Sequence, residues 1–354
     1  MASNSPNLSF LAILALLGSA GAAEAQAPLG TRAAGLAGAF VGVADDASAV
    51  YWNPAGLATG ALLSAIVTFS NEETAPDDPQ TAAGARHTGR MVALSLPPIG
   101  LAYYRVGAYG TGAATPAVTG PQSREEVRRS VHAVTTSTAG VSLLQSLTDH
   151  IVVGVTPKVV RGSAATGLAT DERAADALTR AVALEGFSST KFDVDAGVMI
   201  AVRRFRLGLV ARNLTTPAFA TASASAKATA DKTAGKPGED GGAIELSREV
   251  RAGAAWGSTW PGHTRLVVAA DADLASRATP FGDRRDVAVG VETWWMARRL
   301  GVRGGLRRST IGDSRAAATA GVSAGLRAGM LIEAHAVFGE RHERGWSLGA
   351  RIGF

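Results

Sequence analysis

The residues of this chain with chemical potential are ionisable groups scattered along it. Six histidines, His87, His132, His150, His263, His335 and His342, fall in different segments, and no two stand at the spacing that holds a metal on one helix face. There is no Gly-x-Ser-x-Gly elbow, and the absence of cysteine removes thiolate ligands and thiol nucleophiles. Asp45-Asp46 and Asp77-Asp78 lack the spaced oxygen ligands of a calcium loop. Glu333 and His335 are two residues apart, so on a strand they share a face, where a carboxylate and an imidazole can exchange a proton. Inside a polar lumen such a pair is more simply solvated or ion-paired. The sequence points away from an enzyme and implies neither a cofactor nor a metal.

The elements that carry these groups read as strands. Alternation of apolar and polar residues predicts fourteen, over 61–70, 90–96, 100–107, 130–147, 150–161, 190–202, 205–214, 247–257, 264–274, 285–295, 300–308, 316–326, 330–339 and 345–354. The 42 glycines, 46% hydrophobic residues and 18% charged residues suit a sheet-rich chain with small side chains. Short connections at 97–99, 148–149, 203–204, 258–263, 296–299 and 327–329 alternate with long ones at 71–89, 108–129, 162–189 and 215–246. A barrel with tight periplasmic turns and extended outer loops has this parity. No stretch after the N-terminus is apolar for long enough to make a transmembrane helix, so a membrane protein of this kind must be a closed barrel. The expected fold is all-β: a transmembrane antiparallel barrel with an N-terminal hatch.

Alternation also assigns faces. Val287, Val289 and Val291 oppose Asp286 and Glu292, and Ile332, Ala334, Ala336 and Phe338 oppose Glu333 and His335. The same parity places Asp193, Asp195, Asp271, Asp273, Glu292, Arg303, Arg307, Glu333 and His335 along the lumen. Trp256, Trp260, Trp294 and Trp295 cluster near short turns, as an interfacial girdle would. Leu178, Val182 and Leu184, within 171–186, suggest one face of a helical lid, for which packing of the loop onto the barrel rim is the commoner explanation. Residues 218–242 are polar and small apart from Phe219 and suggest a mobile outer loop. The net charge of +5 is spread rather than clustered, which argues against nucleic acid as a partner.

The two ends supply an address. An apolar run at 10–18, followed by Ala23-Glu24-Ala25, reads as a signal peptide over 1–25, although 1–9 holds no Lys or Arg. Residues 26–60 then form the hatch, and 61–354 the barrel. Trp346, Leu348, Ala350, Ile352 and Phe354 occupy one face of the last strand. A strand ending in a terminal aromatic resembles the assembly signal of outer-membrane barrels. That implies the barrel assembly machinery as a partner, outer-membrane lipid around the wall and a bacterial outer-membrane location.

Within the hatch, Gly30-Thr31-Arg32-Ala33-Ala34-Gly35 is followed by Ala44-Asp45-Asp46-Ala47-Ser48-Ala49-Val50-Tyr51-Trp52-Asn53-Pro54-Ala55-Gly56-Leu57. Asp45 or Asp46 can cap a short helix that Asn53-Pro54 ends. This motif resembles the hatch signature of the long-chain fatty-acid transporter (FadL-like) superfamily, which includes PorV-like barrel proteins. The resemblance implies a fourteen-stranded barrel through which a hydrophobic ligand enters from outside and leaves sideways as the hatch shifts. Asn53, Pro54 and Ala55 would be the gating elements. The leading expectation is passive uptake of long-chain fatty-acid-like molecules. The alternative is a PorV-like component that holds or shuttles exported proteins, which the short chain and the mixed charge of the inward positions favour.

Overall fold

The computed structural model describes residues 29–74, 83–112, 115–117, 126–170, 173–223, 242–260, 264–279, 282–296, 298–312, 315–327 and 329–354. The expected signal peptide lies outside them. Fourteen antiparallel strands form the wall: β1 Ser64–Thr74, β2 Ala85–Leu96, β3 Ile99–Thr111, β4 Glu126–Ser146, β5 Ile151–Ala169, β6 Phe187–Val202 and β7 Phe205–Arg212. They continue as β8 Glu249–Trp260, β9 Thr264–Asp273, β10 Asp286–Trp295, β11 Leu300–Ser309, β12 Ala316–Arg327, β13 Met330–Gly339 and β14 Arg344–Gly353. β1 pairs with β2 on one side and with β14 on the other, from Ser64↔Gly353 to Glu73↔Arg344, so the sheet closes. The Phe354 amide extends this seam by donating to the Leu63 carbonyl at 3.0 Å.

Closure satisfies the backbone between strands, and alternation sorts the side chains. Val67, Leu94, Leu101, Val141, Val159, Leu209, Val289, Val322, Ile332 and Leu348 are exposed on the outer face. Ten-residue strands such as β9, β10 and β11, at about 3.3 Å per residue and a tilt of about 40°, stand about 25 Å tall, the height of an apolar belt. No helix among the described residues is long and apolar enough to cross a membrane. The molecule is a transmembrane β-barrel of the bacterial outer-membrane type.

β4 and β5, at 21 and 19 residues, rise past that belt at the long-loop end. Two loop elements pack on this extension, on opposite faces. Ala218–Ser223 runs parallel to β5 at Ala164–Thr166 and buries Phe219 inside, where an added methyl on Gly162 would meet the Phe219 ring. Part of the loop expected to be mobile is thus a strand, anchored by its single large apolar residue; 224–241 lie outside the described residues.

The helix at Ala174–Val182 packs outside. Its buried residues Ala174, Ala177, Leu178 and Ala181 meet Gly84, Val131 and Ala169, which the register places on the outer face. The lid reading is corrected accordingly. Leu178 is buried against the outer wall, Val182 is 44% exposed, and Leu184 lies beyond the helix, so the three share no face over the lumen. Small alanines supply the docking stripe, because they let the helix approach the strands closely. Trp294 corrects the girdle: it points inward and is fully buried, while Trp295 is exposed outward and the Trp260 side chain lies outside the described residues.

Candidate functional site

The lumen is occupied by the chain's own N-terminal segment. Residues 29–57 are almost entirely buried and comprise α1 Thr31–Gly35, α2 Ala49–Trp52 and a 3₁₀ turn at Pro54–Thr59. Asn53 joins the last two. Proline after it disfavours helix at Asn53, whose extended backbone ends α2, and its Oδ1 accepts from the Ala55 amide at 3.2 Å to start the next turn, with Pro54 at the first position. The cap of α2 departs from expectation: Ser48 is the cap residue and makes no side-chain cap, and Asp46 instead accepts from the Ser48 amide at 2.9 Å and hydroxyl at 2.5 Å.

The wall receives this segment on glycines. An added methyl on Gly197 would lie 2.2 Å from Asn53 Oδ1, one on Gly154 2.5 Å from the Ala55 amide nitrogen, and one on Gly208 2.4 Å from the Val41 carbonyl oxygen. Gly154 and Gly197 stand directly opposite on β5 and β6, and Gly208 and Gly253 on β7 and β8. Gly290 and Gly305, opposite on β10 and β11, receive Leu36 in the same way. Asn53 Nδ2 donates to the Val41 carbonyl at 3.2 Å and across to Val198 on β6 at 3.1 Å.

Charge holds the segment from both ends. Toward the short turns, Arg32 donates to Glu292 on β10 at 2.6 to 3.1 Å and to Asp45. Arg303 lies 3.4 Å from Glu292 and 3.6 Å from Glu333, and Arg351 bridges Glu333 at 3.0 Å and Asp46 at 3.4 Å. Toward the long loops, Asp271 accepts the Phe40 and Val41 amides at 2.8 Å each and faces Arg251 at 3.4 Å. Arg251 also reaches Asp273, Arg277 joins Asp273 to Asp286, and Arg212 holds Glu249. Lys158 ties Asp195 at 2.6 Å to Asp193 at 3.1 Å. Between the layers Phe40, Tyr51, Trp52 and Tyr104 pack edge to face, with Arg212 4.0 Å over Tyr51. Burial raises the Asp45 carboxyl, but Arg32, Arg206 and Arg265 more than reverse this and hold it below the usual carboxylate range.

Two cavities flank the segment. One of about 60 Å³ on the long-loop side is lined by Tyr51, Trp52, Arg212, Glu249, Arg251, Arg277 and Arg307 among others. The other, about 380 Å³ on the short-turn side, is lined by Val43, Asp45, Arg203, Arg204, Arg206 and Arg265 among others. The structure places the nine expected luminal residues inside the wall and spreads them over both charged layers; Arg307 bonds Glu72 and Glu343 at the long-loop end. Glu333 and His335 do not act as a pair: Glu333 accepts from Ser323 at 2.9 Å, and His335 Nδ1 lies 2.9 Å from the Ser347 hydroxyl. Among the described residues no group of three His, Asp or Glu is placed to hold a metal.

Sequence reasoning missed Arg32, Lys158, Arg212 and Arg251 as anchors, and it missed the glycine floor. Arg32 was signalled by its place in the Gly-x-Arg-Ala-x-Gly run. The glycines were signalled by parity, since Gly154, Gly197, Gly208 and Gly253 fall at inward positions. Phe354 is 66% exposed at the end of the last strand.

Solved structures share the fold at low identity. The CymD monoaromatic hydrocarbon channel is 11% identical with a TM-score of 0.58, covering 92% of this chain and 97% of that one. The toluene transporter TbuX of Ralstonia pickettii is 12% identical with a TM-score of 0.56, covering 90% and 98%. A FadL homologue of Pseudomonas aeruginosa is 13% identical with a TM-score of 0.54, covering 92% and 98%. These likenesses establish a FadL-like outer-membrane barrel fold. No curated protein sequence matches the chain. A family profile described as "F plasmid transfer operon, TraF, protein" matches residues 50–273, more than half of the 354 residues, and the chain belongs to that family.

Proposed function

We propose that the protein is an outer-membrane channel for small hydrophobic molecules whose N-terminal segment is a hatch that closes it. The observation that carries this reading is the seating of Asn53-Pro54-Ala55 on Gly154 and Gly197, with the Pro54-Ala55 backbone over Gly154 and the Asn53 amide and Pro54 ring over Gly197, where the wall presents no side chain. On this glycine floor the turn can shift without displacing a wall side chain, once the Asn53 hydrogen bond to Val198 and the ion pairs of Arg32 and Asp46 release. The solved neighbours described as hydrocarbon channels and a toluene transporter support the ligand class.

A sideways exit suits the β4–β5 seam. Its register runs to Gly140↔Lys158 and resumes at Leu143↔Val155, with Pro157, which has no amide hydrogen, in the interruption. Ser142 and Thr156 hydroxyls bridge the interruption at 2.6 Å. Cells with and without the protein should be compared for uptake of labelled toluene and labelled long-chain fatty acid. Uptake that requires the protein and falls in Asn53→Ala supports the channel, and the favoured label names the substrate class. No protein-dependent uptake of either rejects it.

One observation favours a second reading. The cavity between hatch and outer loops is about 60 Å³ and lined by charge, whereas small-molecule sites are usually about 300–1,000 Å³ and mostly apolar. A PorV-like role in holding exported proteins needs no such site, and the family description's reference to a transfer operon accords with it. Co-purification of exported proteins with a ligand-free barrel would select that reading.

A further inference from the structure

The outer wall carries a row of arginines where the apolar belt of β2–β5 ends. Arg90 on β2 stands directly opposite Arg105 on β3, Arg105 opposite Ser137 on β4, and Ser137 opposite Arg161 on β5. All three arginines are exposed, and among the described residues none of them is in an ion pair. Glu73, the outward carboxylate of β1, is already held by Arg86 at 2.7 Å. Two like charges directly opposite on a sheet repel, so the row gains from an anion.

A groove of about 940 Å³ lies along this row, lined by Tyr103, Arg105, Ser137, Arg161, Ser163 and Thr190 and roofed by 182–186, the segment that follows the outer helix. Glu185 on the roof is the only carboxylate among its described lining residues. Below the row the outward residues turn apolar: Val92, Leu101, Val141 and Val159 are all exposed. The long-loop end of bacterial barrels faces outward, so this boundary lies at the headgroup level of the outer leaflet.

We propose that the groove binds a phosphate-bearing lipid of the outer leaflet. Its phosphate would lie on Arg105 and Arg161, its sugar or glycerol hydroxyls against Ser137, Ser163 and Thr190, and its chains along the apolar wall below. Guanidinium groups suit this task because each offers two parallel donors to one phosphate. A neutral lipid with the same chains would leave the row uncompensated.

The test is delipidation of the purified folded barrel, titration with diphosphoryl lipid A or its dephosphorylated form, and counting of retained lipid by native mass spectrometry. The wild type should retain the phosphorylated lipid, and retention should fall about tenfold or more in Arg105→Gln/Arg161→Gln but not in Arg308→Gln on the opposite wall. In 1 M salt, wild-type retention should weaken. Equal retention by the double variant and the wild type, equal binding of the dephosphorylated lipid, or salt-independent retention would each overturn the proposal.

Discussion

At the scale of single residues, Glu292 is the most consequential anchor, since it accepts from Arg32 of the hatch and faces Arg303 of the neighbouring strand at 3.4 Å. Glu292→Gln leaves two buried guanidinium groups short of a counter-charge, which should weaken hatch docking by about 3–5 kcal/mol. Proteolysis of the N-terminal segment in otherwise folded barrel should become rapid in this variant and stay slow in the wild type. Asp45 sets a pH limit on the same contact. Its folded-state value lies below the ordinary carboxylate value, so its attraction for Arg32 is complete above about pH 4 and is lost as pH falls through the folded-state value. The hatch should resist the same protease from pH 8 to about pH 4, and become cleavable by an acid-active protease only below that. Cleavage beginning near pH 6 would show that another group controls docking.

At the scale of elements, the glycine floor decides whether the hatch seats. In Gly197→Ala the new methyl would lie 2.2 Å from Asn53 Oδ1 and 2.9 Å from Pro54 Cδ, so the Asn53 turn must move while β6 keeps its pairing. Normal heat-modifiable barrel with raised ion leak is the expected outcome; unchanged leak would show that the turn adapts in place. The strands themselves were legible because period-two alternation is imposed by lipid on one side and lumen on the other. Expected and observed ends agree within a few residues for most of β6 to β14, whereas β2 begins at Ala85 rather than 90 and β5 runs on to Ala169 rather than 161. Those extra turns of strand lie above the belt, where the outer face is covered by a helix or exposed to water and alternation fades. The helix at Ala174–Val182 was legible as a helix but not as to side. Its docking stripe is mostly alanine, and a sequence does not reveal which face of an extended sheet will accept small residues.

For the whole molecule, the inward charges were legible from parity alone, but their partners were not. Arg32 meets Glu292 across 260 residues of sequence, a pairing that local alternation along either segment does not encode. Buried ions thus tie the N-terminal segment to the closed wall, and the proposed function requires that this docked segment seal the pore. The direct measurement is ion conductance in planar bilayers of the wild type beside a variant lacking 29–57, each verified as folded barrel by heat-modifiability, with Gly197→Ala as a full-length companion should the deletion not fold. If the docked segment seals the pore, the wild type shows little or no conductance, the deletion variant a large steady current and Gly197→Ala an intermediate leak. Equal conductance of the wild type and the folded variants would contradict it.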